Sequence, residues 1–321
     1  MGPPIPKPLP RPSSGHPKQK PLSGRPKVVL GLLDEGQEFQ RMQAEDARLA
    51  AGEGGLDVEV LYAENNAVVQ IQQLYQVVQV PADRRPSVVI VHTVAGEGLE
   101  RLARTAVAGG IGWILLNRRV ANLDELRRHQ PKLPIGMIGS DNLEIGRIQG
   151  RQFQALVPDG GLVLYIRGPA DTSAARDRLA GAEEVCGRRI NLKVLDGQWT
   201  EASGEDAISQ WLHLKQYQTS PPRLIGCQND AMAVGARRAL QAAAASHPSL
   251  AKVPVTGVDG LPDGGRRHVD QGTLAATVIT PSNTGPAIRL VIQTLQGRAS
   301  FPREQLLTPS SYPELANLGA R

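Results

Sequence analysis

Asn229 and Asp230 follow directly on the apolar run Leu224 to Cys227, where a helix-forming stretch begins. Two other runs end alike: Trp113 to Leu116 empties into Asn117 and Arg118, and Val253 to Val258 into Asp259 and Gly260. Amides, carboxylates and a guanidinium at strand ends are suited to holding a polar ligand by hydrogen bonds. In open α/β sheets such groups line the crevice beyond the carboxyl ends of the strands. Helix capping accounts for any one of the three sites, because Asn and Asp oxygens satisfy the free N–H groups of a first helical turn. Three together favour the rim of a cleft.

Catalytic and metal chemistry find little support. His92, His129, His213 and His268 lie far apart without metal-ligand spacing, and no G-x-S-x-G elbow is present. Gly31 leads into Asp34 and Glu35 rather than a G-x-G-x-x-G loop, so a dinucleotide has no phosphate cradle. The segment Asp259 to Gly264 is a poor calcium loop, with Leu261 at the third ligand position and Asp270 at the twelfth. Cys186 and Cys227 are too few for a disulfide framework. The expectation is a binding protein, not an enzyme, with no metal and no cofactor.

The elements that position the rim alternate along the chain. Apolar runs at Val28 to Leu32, Val58 to Tyr62, Val88 to Val91, Gly112 to Leu116 and Ile135 to Ile138 read as strands. Leu162 to Ile166, Leu192 to Leu195, Leu224 to Cys227, Val253 to Val258 and Leu274 to Val278 continue the series. Helical spacing over Phe39 to Ala51, Ile71 to Val80 and Ala231 to Ala245 fits between them. Strands separated by helices favour parallel sheets, and so many predict two doubly wound α/β lobes rather than one sheet. The 321 residues suffice for both.

The net charge of +5 gives little support for nucleic-acid binding, since Lys7, Arg11, Lys18, Lys20, Arg25 and Lys27 precede or open the first strand with no acid among them. The remaining body is near neutral and carries no basic stripe. Residues 1–26 are rich in proline and are expected to form a disordered basic tail. No apolar stretch approaches the ~20 residues needed to cross a bilayer.

Four ordered blocks carry a family resemblance: SDNLEIGRIQG from Ser140, GPADTSAARDRLAG from Gly168, CQNDAMAVGARRALQ from Cys227, and GVDGLPDG from Gly257 with QGTLAATVITP ending at Pro281. On these the chain resembles type I periplasmic sugar-binding proteins, particularly the ribose-binding branch, from about Lys27 through Gly297. The resemblance implies two discontinuous lobes joined by three crossovers, closing on a sugar held in the cleft between them. It places one lobe at 27–140 plus 281–309 and the other at 141–280 plus 310–321, with hinges near Ser140, Thr280 and Pro309. It also implies a monomer that hands its closed form to an ABC transporter permease or a membrane sensor.

The resemblance assigns the pocket residue by residue. Phe39 and Trp199 match the family's stacking aromatics, among only three Phe, three Trp and five Tyr in the chain. Core packing is the competing role for Trp199. Arg118 and Arg178 match its arginines, whose planar forks can serve two hydroxyls at once; a surface pairing of Arg178 with Asp177 or Glu183 is the alternative. Asn229 and Asp259 match its amide and carboxylate.

Departures bear on the ligand. Asn117 stands where the family has an acid, His92 where it has asparagine, Thr280 where it has glutamine, Gln40 for an aromatic and Leu33 for a small polar residue. Ribose itself is therefore not the expected ligand. With Arg118 and Arg178 facing Asp259 alone, and His92 adding positive character, the cleft is expected to favour a sugar acid or phosphorylated sugar. Asp141, or another acid, could instead restore neutrality.

The rival reading is the effector domain of a lactose-repressor-like regulator, which shares this body. The proline-rich lead is too short and broken to form a helix-turn-helix, so such a regulator would lack its own DNA-binding headpiece. Nor does the lead contain the apolar core, about 7–15 residues long, of a secretory signal. The chain as written reads as cytoplasmic, whereas the resemblance implies the periplasm or cell envelope if the true start lies upstream.

Overall fold

Strands that are apolar on both faces belong in parallel sheets covered by helices on each side. The computed structural model describes residues 24–95, 98–118, 122–214 and 221–319. In it β1 (Lys27–Leu32), β3 (Val88–His92), β4 (Gly112–Leu116) and β5 (Ile135–Ser140) are buried almost throughout. With β2 (Asp57–Tyr62) and β11 (Glu304–Leu307) at the edges they form a parallel sheet in the order β11-β5-β4-β3-β1-β2.

Helices α1 (Glu38–Gly54) and α10 (Thr284–Leu295) cover one face, setting Ala44, Ala47, Ile288 and Val291 against Val28, Leu30 and Ile90. Helices α2 (Ala67–Gln79), α3 (Glu100–Ala108) and α4 (Leu123–His129) cover the other through Leu74, Leu102, Ala106 and Leu126.

The second sheet has the order β7-β6-β8-β9, all parallel, from β6 (Gly161–Arg167), β7 (Ile190–Asp196), β8 (Leu224–Cys227) and β9 (Val255–Thr256). Around Phe153 and Tyr165, whose rings meet edge to face at 5.8 Å, pack α5 (Asn142–Leu156) and α6 (Ser173–Cys186). Around Trp211, Met232 and Leu240 pack α7 (Glu201–Leu212) and α8 (Asp230–Ala243). The short α9 (Arg267–Asp270) precedes β10 (Thr277–Ile279), which pairs antiparallel with β12 (Ser310–Tyr312). Two doubly wound parallel sheets, each with its own core, are the predicted fold class.

The chain passes between the lobes three times: from β5 into α5, from β10 into α10, and from β11 into β12. Helix α1 grips the second passage. Gln43 Oε1 accepts from the backbone N–H groups of Asn283 at 3.1 Å and Thr284 at 3.0 Å, and the Thr284 hydroxyl donates to the Gln43 carbonyl at 2.6 Å. Asp46 accepts from Gly285 N–H at 2.9 Å. These are free donors of the first turn of α10, so α1 acts as its cap.

Differences from expectation fall at strand ends. Val253 to Val258 forms a strand only over Val255–Thr256, beyond which the chain runs beside β10 through single bridges at Thr256–Ala276 and Asp259–Ile279. β11 and β12 have no counterpart among the predicted strands: they are short, half-polar pieces whose partners are remote in sequence. Residues 1–23 of the proline-rich lead lie outside the described residues. No helix among the described residues is long and apolar enough to cross a membrane.

Candidate functional site

The ends of β1, β3 and β4 in one lobe and of β8 and β9 in the other converge on a chamber of about 50 Å³. The first lobe contributes Leu33, His92, Asn117 and Arg118, with Gln37, Phe39 and Gln40 from the start of α1; the second contributes Ala174, Arg178, Trp199, Asn229 and Asp259. Two larger spaces share its walls. One, of about 460 Å³, is bordered by Asp34, Glu38, Glu201 and Asp230; the other, of about 750 Å³, by Arg167, Asp171 and Asp196.

Of the sequence-named residues, Phe39, His92, Asn117, Arg118, Arg178, Trp199, Asn229 and Asp259 meet at this chamber. Thr280 does not line it. Its backbone N–H donates to the Asp259 carbonyl at 3.0 Å, one residue past the bridge that joins Ile279 to Asp259. That position commits Thr280 to the crossover, where it supports the Asp259 backbone, and its buried hydroxyl has no partner among the described residues.

Arg178 and Trp199 form one wall. The guanidinium sits over the indole, its Nε donates to Asn142 Oδ1 at 2.9 Å, and one Nη donates to the Gln228 carbonyl. A cation over an indole face gains electrostatically from the ring quadrupole. Arg178 is therefore buried in the cleft rather than paired on a helix surface. Trp199, at φ 62°, is fixed from behind, because Asn229 Nδ2 donates to its carbonyl at 2.9 Å. Asn229 Oδ1 accepts from Met232 N–H at 2.9 Å, so it caps α8 while bordering the chamber.

Across the chamber, Arg118 donates to the carbonyls of Thr93 and Val94, while its buried Nε has no partner among the described residues. Asn117, at φ 58°, accepts from Ser140 N–H at 3.3 Å and from Asn142 Nδ2 at 3.2 Å. Asn142 thus ties Asn117 of one lobe to Arg178 of the other. Gln40 Oε1 accepts from Leu33 N–H at 3.2 Å, which turns its Nε2 toward His92 Nδ1 at 3.3 Å. A neutral imidazole accepting at Nδ1 carries its proton on Nε2.

Electrostatics follow from burial. His92 is held well below the usual imidazole range, first by desolvation and then by Arg118 and Arg178. It is neutral, which overturns the expectation that it adds positive character. Burial pulls Arg118 down to about 10, with Asp171 partly compensating. Burial pushes the Asp259 carboxyl up to about 7 against the pull of Arg178. Asp230, fully enclosed and next to Asp259, is also raised, although Gly260 N–H and the Thr277 hydroxyl donate to it at 2.8 and 2.7 Å. No cluster of three or more metal-ligating side chains occurs among the described residues.

Gln40 and Asn142 are working members of the site that the sequence leaves unassigned. Gln40 is visible only as a departure at an aromatic position, and Asn142 only as a letter within the SDNLEIG block.

Comparison with known proteins adds an independent finding. The family described as periplasmic binding protein domain matches residues 29–298. The ribose import binding protein of Escherichia coli (strain K12) is 29% identical over 235 residues, covering 72% of this chain and 71% of that protein. A putative rhizopine-binding protein of Rhizobium meliloti is 25% identical over 214 residues, covering 65% of this chain and 64% of its own length. Among solved structures, a Caulobacter myo-inositol binding protein bound to myo-inositol superposes with a TM-score of 0.76 at 25% identity, covering 92% of this chain and 95% of that one.

Proposed function

The chain belongs to the periplasmic binding protein family, and on that premise we propose that it captures a small carbohydrate between its two lobes for ABC-type uptake or sensing. The observation that carries this reading is the interlobe chamber itself. An indole and a phenyl ring can cover the C–H faces of a sugar, while Arg118, Arg178, Asn229 and Asp259 border its rim with groups that match hydroxyls. The regulator reading is set aside, since the relatives named above are binding and import proteins.

The moving bodies are residues 27–140 plus 281–309 and residues 141–280 plus 310–321, hinged near Ser140, Thr280 and Pro309. Closure about three short passages buries the ligand and creates the surface that a permease or sensor reads. The protein acts as a monomer in the periplasm or cell envelope, a placement supported by the family's description as a periplasmic binding protein domain.

The ligand is an acidic or phosphorylated sugar. Neither Arg118 nor Arg178 hydrogen-bonds a carboxylate among the described residues, and Asp259 tends toward its neutral form. Buried guanidinium groups are costly where Asp171 and Asp259 balance them only in part, and a ligand acid would offset them.

A thermal-shift screen against neutral sugars, polyols, sugar acids and sugar phosphates tests this, repeated with Asn229→Ala and Asp259→Ala. A ligand specific to the folded state raises Tm by mass action. The expected hit is an acidic sugar whose shift disappears in both variants. Hits confined to neutral sugars overturn the charge assignment, and silence across the panel overturns the carbohydrate reading.

A further inference from the structure

Helix α8 carries Asn229 at its N-cap and, two turns on, a third buried guanidinium. Arg237 is only 8% exposed, unlike its neighbour Arg238, which pairs with Glu201 and Glu205 at the surface. Arg237 Nε donates to the Thr273 carbonyl at 2.9 Å and Nη1 to the Ala251 carbonyl at 3.2 Å. Among the described residues no carboxylate pairs with it, and burial lowers its pKa with no charged neighbour opposing. Its Nη2 is left without a described partner.

This side chain borders a cavity of about 510 Å³ that shares no residue with the interlobe chamber. Lys252 is the other charged residue of the wall, and no Asp or Glu lines it. Gln241, Gln271 and Asn317 bring side-chain amides that hydrogen-bond nothing among the described residues. Two carbonyls satisfy part of the Arg237 fork but leave its charge unbalanced.

We propose that this cavity is a second ligand site, for a small hydroxylated oxyanion. Phosphoryl or carboxylate oxygens would bridge Arg237 and Lys252, and the amides would serve the hydroxyls. The three amides beside the two cations favour a phosphate ester, which brings hydroxyls of its own, over the bare ion. The proposal stands apart from the sugar reading, because none of its residues touches the chamber.

Calorimetric titration of the full chain with inorganic phosphate, a sugar monophosphate and a small tricarboxylate, at low salt, tests it. The expected result is a binding component, separate from any at the interlobe chamber, that Lys252→Glu and Arg237→Met each weaken about tenfold or more, as loss of a charge-assisted hydrogen bond requires. Lys252 is exposed, so its reversal keeps the test valid even where Arg237→Met fails to fold. Inorganic phosphate binding as tightly as the ester, with the same dependence on Lys252, makes the free ion the occupant and still supports the site. No binding to folded protein overturns the proposal. So does anion binding that keeps its full affinity and stoichiometry in both Lys252→Glu and Arg237→Met, which assigns all of it to the chamber.

Discussion

The guanidinium carbon of Arg178 lies 5.6 Å from the centroid of the Trp199 ring, joining α6 to the loop before α7. Each partner is held independently, Arg178 by Asn142 and Trp199 by Asn229. The wall therefore exists before any ligand arrives, and ligand binding does not have to order it.

Arg178→Lys keeps the charge but loses the planar fork that reaches Asn142, Gln228 and the indole together. Affinity for the chamber ligand is expected to fall about 10–100-fold, as for loss of one or two charge-assisted hydrogen bonds. Calorimetry reads this directly, and unchanged affinity would remove Arg178 from the site.

A β-carbon at Gly168 would lie 2.0 Å from Trp199 Cζ2, so Gly168→Ala has to displace the indole. The variant is expected to fold, since Trp199 is only partly buried, and to bind weakly. Tryptophan fluorescence should change in the ligand-free protein. Wild-type affinity together with wild-type emission would show that the ring does not depend on this glycine.

Asn142→Ala removes the link between Asn117 and Arg178. Leaving buried polar groups unsatisfied costs about 1–3 kcal/mol, which denaturant unfolding resolves. Affinity should fall as well, because Arg178 Nε loses its acceptor. A loss of stability with affinity intact would confine Asn142 to a structural role.

The carboxyl of Asp259, raised to about 7, gives a pH signature. A carboxyl whose folded pKa lies above its unfolded value favours folding most when protonated. That contribution is present below pH ~4 and is lost as pH rises toward 7. Asp259→Asn imitates the protonated form, so the variant should match wild type near pH 4 and melt progressively higher than it up to pH 8. A Tm difference that stays flat over this range would mean that Asp259 is not raised.

Much of this was legible where one residue type has one use. VVIVH and GWILL could only be strands buried on both faces, and the polar residues that ended them had to reach the rim. Phe39, Arg178 and Trp199 sit on helices and loops, where periodicity says nothing about a cleft, so only family resemblance located them. His92 was misjudged in charge because its protonation depends on burial beside two arginines, which spacing does not reveal. The contacts of Gln40 with His92 and of Asn142 with Arg178 span 52 and 36 residues of chain, and each is a property of the assembled fold. Thr280 fell at a matching position, but its backbone bond to Asp259 gives it to the crossover.

The grip of Gln43 on Asn283 and Thr284, across 240 and 241 residues of sequence, fastens the second passage to α1 and so limits where the proposed hinge could bend. Downstream of Ser282 the second passage travels as part of α1, and upstream Thr280 is bonded to Asp259. Free torsion is confined to the few bonds around Pro281, whose ring already fixes one of them. The pivot is therefore short-armed and stiff, and a substitution at Gln43 would lengthen the arm. Under the hinge proposed at this passage, that would change how fast the lobes open and release a ligand more than how tightly they hold it.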